Sequence, residues 1–82
     1  MGIKVVPAKK FVCWLQSRGL IHIRTDSSHE HYNYPERDPR RLTRNVVVRP
    51  KKDKDIPLLH IHTNLRTLGI SKSDFEKEIK SF

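Results

Sequence analysis

Five histidines stand in this 82-residue chain, and two of them, His29 and His31, flank a single residue in a segment that alternates like a β-strand. Imidazole is the side chain whose ordinary pKa lies nearest neutral pH, so it can accept a proton at one step and return it at the next. Lys and Arg hold developing negative charge. Eight of them fall between Arg37 and Lys54, against only Asp38 and Asp53 as acids. A proton-transfer group beside a cationic strip suits attack at a phosphodiester, where one proton leaves, another arrives and charge accumulates on phosphorane oxygens. RNA carries its own nucleophile, the 2′-hydroxyl, so this chemistry proceeds without a metal. On that reading His29 is the general base or acid, and Lys51, Lys52 and Lys54 contact phosphates. Ser28 either hydrogen-bonds a phosphate oxygen or fixes the turn, and His31 is a candidate for the second proton transfer.

The same residues permit a metal hypothesis, which the spacing weakens. His29 and His31 share one face of a strand and would make a workable ligand pair. His60 and His62 do not, because a helix turns about 200° over two residues. Third and fourth ligands are then hard to find, and Cys13 is alone, which excludes a cysteine-based zinc cage and an internal disulfide. No metal and no cofactor is expected. Cys13 falls toward the polar side of the first helix and reads as structural.

The elements that must position these groups follow from pattern and length. Eighty-two residues make one domain, 1–82, with a modest core and a small stability margin. Pro7 opens a first helix and Gly19 ends it, with Ala8, Phe11, Val12, Trp14 and Leu15 on one arc. From Leu20 to Thr25 the period becomes two: Ile21, Ile23 and Thr25 share one face, and Leu20, His22 and Arg24 the other. Asp26-Ser27-Ser28 is a turn. In the strand from His29 to Tyr34, Glu30, Tyr32 and Tyr34 point to the core, and His29, His31 and Asn33 to an open face. Pro35 to Thr43 is an exposed loop, Asn45 to Arg49 a third strand with Val46 and Val48 inward, and Pro50 to Asp55 a basic turn. Pro57 opens a second helix with the stripe Leu58, Ile61, Leu65 and Leu68, and Gly69 closes it. His60 and His62 lie on its exposed and bordering faces, near the basic strip. Ser71 with Asp74, or Ser73 with Glu76, caps a last helix that packs through Phe75 and Ile79. The fold class is α+β, in the order α-β-β-β-α-α. It is expected as a two-layer sandwich, with a three-stranded antiparallel sheet and helices on one face. Trp14, Tyr32 and Tyr34 are assigned to that core.

The formal charge of +8 makes a polyanion the first candidate partner. Met1 to Pro7 lacks the pattern of a signal peptide, and no apolar run approaches a membrane span. A cytoplasmic protein without a membrane partner is expected.

Ser28-His29, followed by Tyr32 and Pro35, resembles the Gly-Ser-His-His-x-aromatic segment of HicA toxins. The run from Lys54-Asp55-Ile56-Pro57 through Leu65-Arg66-Thr67-Leu68-Gly69-Ile70-Ser71 resembles that family's closing "Ile-Pro … Leu-Arg … Gly-Ile-Ser" pattern. With the opening helix, the resemblance extends from about Pro7 to Phe75. Ser27 stands where the family usually has glycine, Glu30 where a second histidine is frequent, and the loop from Glu36 to Arg44 is longer than typical. The resemblance implies a double-stranded-RNA-binding-domain-like fold and a metal-independent endoribonuclease acting on mRNA, the toxin of a type II toxin–antitoxin pair. It also implies His29 as the catalytic histidine and a HicB-type antitoxin as partner. Two other classes use the same basic surface: a non-catalytic module for duplex RNA, and an interaction domain for an acidic protein. An exposed imidazole at the Ser28-His29 turn separates the enzyme from the binder, and weak salt dependence of RNA binding would mark the interaction domain.

Overall fold

The computed structural model describes residues 6–49 and 55–82. Its elements are β1 (Val6–Pro7), α1 (Ala8–Ser17), β2 (Ile21–Asp26), β3 (His29–Asn33), β4 (Val46–Val48), β5 (Asp55–Ile56), α2 (Leu58–Leu68) and α3 (Lys72–Ile79). β2, β3 and β4 form an antiparallel meander with β3 in the centre, as expected of an α+β chain. Lys51, Lys52 and Lys54, the rest of the turn from 50 to 54, and the side chain of Leu58 lie outside the described residues. No helix among the described residues is long and apolar enough to cross a membrane.

Each helix ends where its sequence dictates. α1 begins directly after Pro7, whose fixed φ of −55° suits a helix entrance, and stops at Gly19, whose φ of +100° reverses the chain. The Leu20 amide then donates back to the Leu15 carbonyl at 3.1 Å. α2 stops at Gly69, at φ +73°, and the Ser71 hydroxyl accepts from the Asp74 amide at 3.1 Å to start α3. Between Ser71–Asp74 and Ser73–Glu76, the first is the cap that forms.

The buried side chains join the three helices to one face of the sheet. Phe11, Trp14 and Leu15 of α1, Ile61 and Leu65 of α2, and Phe75 and Ile79 of α3 cluster with Leu20, Tyr32, Tyr34, Val46 and Val48. Trp14 packs edge-on to Phe75 with centroids 4.7 Å apart, and its indole N–H donates to Glu78 at 2.9 Å. Arg18 binds the same carboxylate through both oxygens, so the polar rim of α1 is fastened to α3.

Three features depart from the sequence pattern. β2 does not keep period two, because the register shifts between His22 and Arg24. His22 therefore sits opposite Tyr32 on the core side while Arg24 sits opposite His31 on the other, and Ile21 is 47% exposed. A bulge at an edge strand turns its residues out of phase, which alternation alone does not reveal. Asn33, placed on the open face, is only 2% exposed, because the loop after β3 folds over it. The opening arm is also structured: β1 pairs antiparallel with β5, matching Val6 to Ile56 and Pro7 to Asp55.

Candidate functional site

His29 is the first residue of the central strand, directly after a two-residue hairpin turn. Ser27 and Ser28 hold φ values of +47° and +73°, and Asp26 pairs with His29 across the turn. Positive φ at both central residues is the type I′ geometry that matches the twist of the strands it joins. The His29 Nδ1 lies 3.3 Å from the Asp26 carbonyl oxygen. A carbonyl only accepts, so this contact calls for a proton on Nδ1 and leaves Nε2 with its lone pair. The hairpin that carries the imidazole therefore also selects its tautomer.

The strand register puts Glu30, Tyr32, Val46 and Val48 on the core face and His29, His31 and Val47 on the other. Glu30 is thus turned away from His29. It accepts a 2.7 Å hydrogen bond from the Tyr32 hydroxyl. Burial and this carboxylate push the Tyr32 phenol well above its ordinary pKa, so it stays a donor.

On the open side, His29 lines a cleft of about 230 Å³ together with Val47, Arg49, His60, Thr63 and Asn64. Its far wall is α2. His60, Thr63 and Asn64 stand at i, i+3 and i+4, hence on one helical face. Two forces seat that face. Ile61 and Leu65 are drawn into the core, and Asn64, itself buried, donates its amide to the Val47 carbonyl at 3.1 Å. That bond uses an acceptor on the outer edge of β4, which no further strand pairs among the described residues. The cleft thereby gathers two imidazoles and the Arg49 guanidinium. Such a set can take up one proton, supply another and hold negative charge between them.

The sequence marks out His29 but not its neighbour. Spacing alone puts His60 no closer than the basic strip, whereas it lines the same cleft as His29, and His62 is exposed as the helical turn requires. The polar stripe His60, Thr63, Asn64 and Thr67, running beside the apolar stripe, was the available signal. His31 shares His29's face but does not line the cleft, and its Nδ1 is buried without a hydrogen-bond partner among the described residues. Ser28 is exposed in the turn itself. Arg49, counted within the basic strip but not singled out, is the cation that the structure brings to His29. Trp14, Tyr32 and Tyr34 are buried in the core, and Cys13 is exposed on α1. Among the described residues no three of His, Cys, Asp and Glu converge as a metal site would require.

Comparison of the chain with protein-family models, with curated proteins and with solved structures finds no match.

Proposed function

We propose that this chain is an endoribonuclease that cleaves mRNA through His29 and His60, the toxin half of a toxin–antitoxin pair of the kind its resemblance to HicA implies. The observation that carries the reading is the single cleft shared by His29, His60 and Arg49. In this scheme His29, with Nδ1 engaged by the Asp26 carbonyl, accepts the 2′-hydroxyl proton at Nε2. The 2′-oxygen forms a bond to phosphorus, and charge on the phosphorane oxygens is held by Arg49. His60, entering protonated, gives its proton to the 5′-oxygen as the P–O5′ bond breaks. The products are a 2′,3′-cyclic phosphate and a free 5′-hydroxyl, with protons and electrons balanced.

The order of helix, three antiparallel strands and two helices supports a double-stranded-RNA-binding-domain-like, two-layer architecture as the family counterpart. Ser28 and the lysines Lys51, Lys52 and Lys54 are proposed contacts to the RNA backbone. A HicB-type antitoxin is proposed to cover the cleft, in the cytoplasm where its substrate lies.

The test is cleavage of a single-stranded RNA by the purified protein in excess chelator, beside His29→Ala and His60→Ala. Wild-type cleavage that each variant loses, and that a 2′-deoxy substitution at the cut site abolishes, is expected. Binding without cleavage by the wild type would instead identify a non-catalytic RNA module. Cleavage that stops with chelator would refute the two-histidine scheme.

A further inference from the structure

A second cleft, of about 430 Å³, opens farther along α2 and is lined by Arg41, Leu42, Thr43, Arg44, Arg66 and Thr67. It brings three guanidinium groups and two hydroxyls together, with no carboxylate among the described residues of its wall. None of the three arginines forms an ion pair among the described residues, whereas Arg18, Arg24 and Arg40 each have one. Like charges left unpaired in one concavity repel each other, and an anion relieves that repulsion.

The cleft is built on a fixed loop. Asn33 accepts from the Leu42 amide at 2.9 Å and the Tyr34 amide at 2.7 Å, and donates to the Leu42 carbonyl at 3.1 Å and to Asn45 at 2.9 Å. These bonds hold Leu42 by its backbone and Asn45 by its side chain, on either side of Thr43 and Arg44. Arg41 is steadied by one bond to the Tyr34 carbonyl at 3.2 Å, and its other N–H groups have no partner among the described residues. Arg40 is already consumed by Asp38 and by stacking 4.3 Å over the Tyr34 ring. The Arg41 guanidinium, held this way, loses little freedom on binding, and the planar forks of all three arginines match phosphate oxygens.

The two clefts share one helical face. His60 and Thr63 line the first and Thr67 the second, and at 1.5 Å per residue His60 and Thr67 lie about 10 Å apart along the axis. That distance matches about three stacked nucleotides at ~3.4 Å each along a strand. We propose that the Arg41–Arg44–Arg66 cleft is a phosphate subsite for the RNA strand being cut, gripping its backbone a few nucleotides from the scissile bond. It thereby sets which direction the strand runs past His29. The inference rests on the ribonuclease reading for the identity of the strand, but its binding test does not require cleavage.

The test uses the full chain carrying His29→Ala and a labelled 12-nucleotide single-stranded RNA, with affinity followed against salt. Adding Arg44→Ala and Arg66→Ala should lower the slope of log affinity against log salt by about 1.4, at ~0.7 per phosphate contact on a single strand. The pair Lys72→Ala and Lys77→Ala, which removes the same charge from exposed positions on α3, should change the slope much less. Arg44→Lys with Arg66→Lys should restore the slope, which a misfolded variant would not do. With His29 intact, Arg44→Ala and Arg66→Ala should raise KM for the 12-mer and leave kcat, and they should leave a dinucleotide substrate unaffected. Equal slope losses from the arginine and lysine pairs would overturn the subsite in favour of diffuse charge. An unchanged RNA slope with weakened binding of poly-glutamate would overturn it in favour of an acidic protein partner. If the arginine pair alone loses RNA binding while His29→Ala still cleaves, the subsite stands and the catalytic assignment falls.

Discussion

Replacing Ser28 by glycine should stabilise the protein and leave His29 where it is. Ser28 holds a φ of +73° and Ser27 a φ of +47°, both in the left-handed region. There the Cβ of an L-residue crowds its own carbonyl, at a cost of about 1–2 kcal/mol per residue. Glycine lacks the Cβ but gives the unfolded chain more freedom, which takes back about 0.5–1 kcal/mol. The net expected gain is ~0.5–1 kcal/mol, which for a domain of this size raises Tm by roughly 2–8 °C. Trp14, the only tryptophan, is fully buried and reports unfolding by fluorescence. Urea titration should show the midpoint rising with the slope unchanged, and Ser28→Val should lower it by more than glycine raises it. A midpoint at or below wild type for Ser28→Gly would refute the backbone assignment of the turn. RNA cleavage separates the two roles of the side chain. If Ser28 only shapes the turn, Ser28→Gly keeps full activity. If its hydroxyl meets a phosphate, Ser28→Gly and Ser28→Ala lose kcat/KM alike, although only one is stabilised.

Other outcomes follow from single contacts. Asn33→Leu leaves the Leu42 amide and carbonyl without partners and should cost about 2–4 kcal/mol by urea unfolding. Phe75→Ala empties the ring position between Phe11 and Trp14 and should cost about 3–5 kcal/mol. The Glu78 carboxyl is held below its ordinary 4.5 by Arg18 first and the Trp14 indole second, so it favours the folded state above that pH. That contribution fades as pH falls through the lowered value. Trp14 emission should shift below pH 4.5, and Glu78→Gln should abolish the shift. Asp38 is held at about 2 by the Arg40 side chain and amide, so the loop clasp over Tyr34 should loosen only as pH falls from 3.8 toward 2. NMR of the Arg40 amide measures this, and Asp38→Asn should remove the transition.

Helix limits and the core were readable because they depend on local chemistry. Pro7, Gly19, Pro57, Gly69 and Ser71 each act within a turn of their position, and Val46 and Val48 point inward as alternation requires. What escaped the pattern depends on contacts distant in sequence. The shift between His22 and Arg24 arises from pairing with β3, not from residue types in β2. Asn33 looks like any polar strand residue until Leu42 and Asn45 reach it. His60 meets His29 only because Ile61, Leu65 and Asn64 fix the rotation of α2 against β4. A histidine on a helix carries no mark of which strand it will face.

The short ribbon of β1 and β5 gives the molecule a late-closing clasp. Val6 and Ile56 lie about fifty residues apart in sequence, so their pairing encloses most of the chain and carries the loop-closure entropy of that length. The hairpin of β2 and β3, closed by two residues, should form long before it. Pro7 leads into α1 and Pro57 into α2, so opening the clasp releases the starts of both helices at once. Hydrogen exchange should therefore show the first turns of α1 and α2 opening as one unit while the hairpin beneath His29 stays closed.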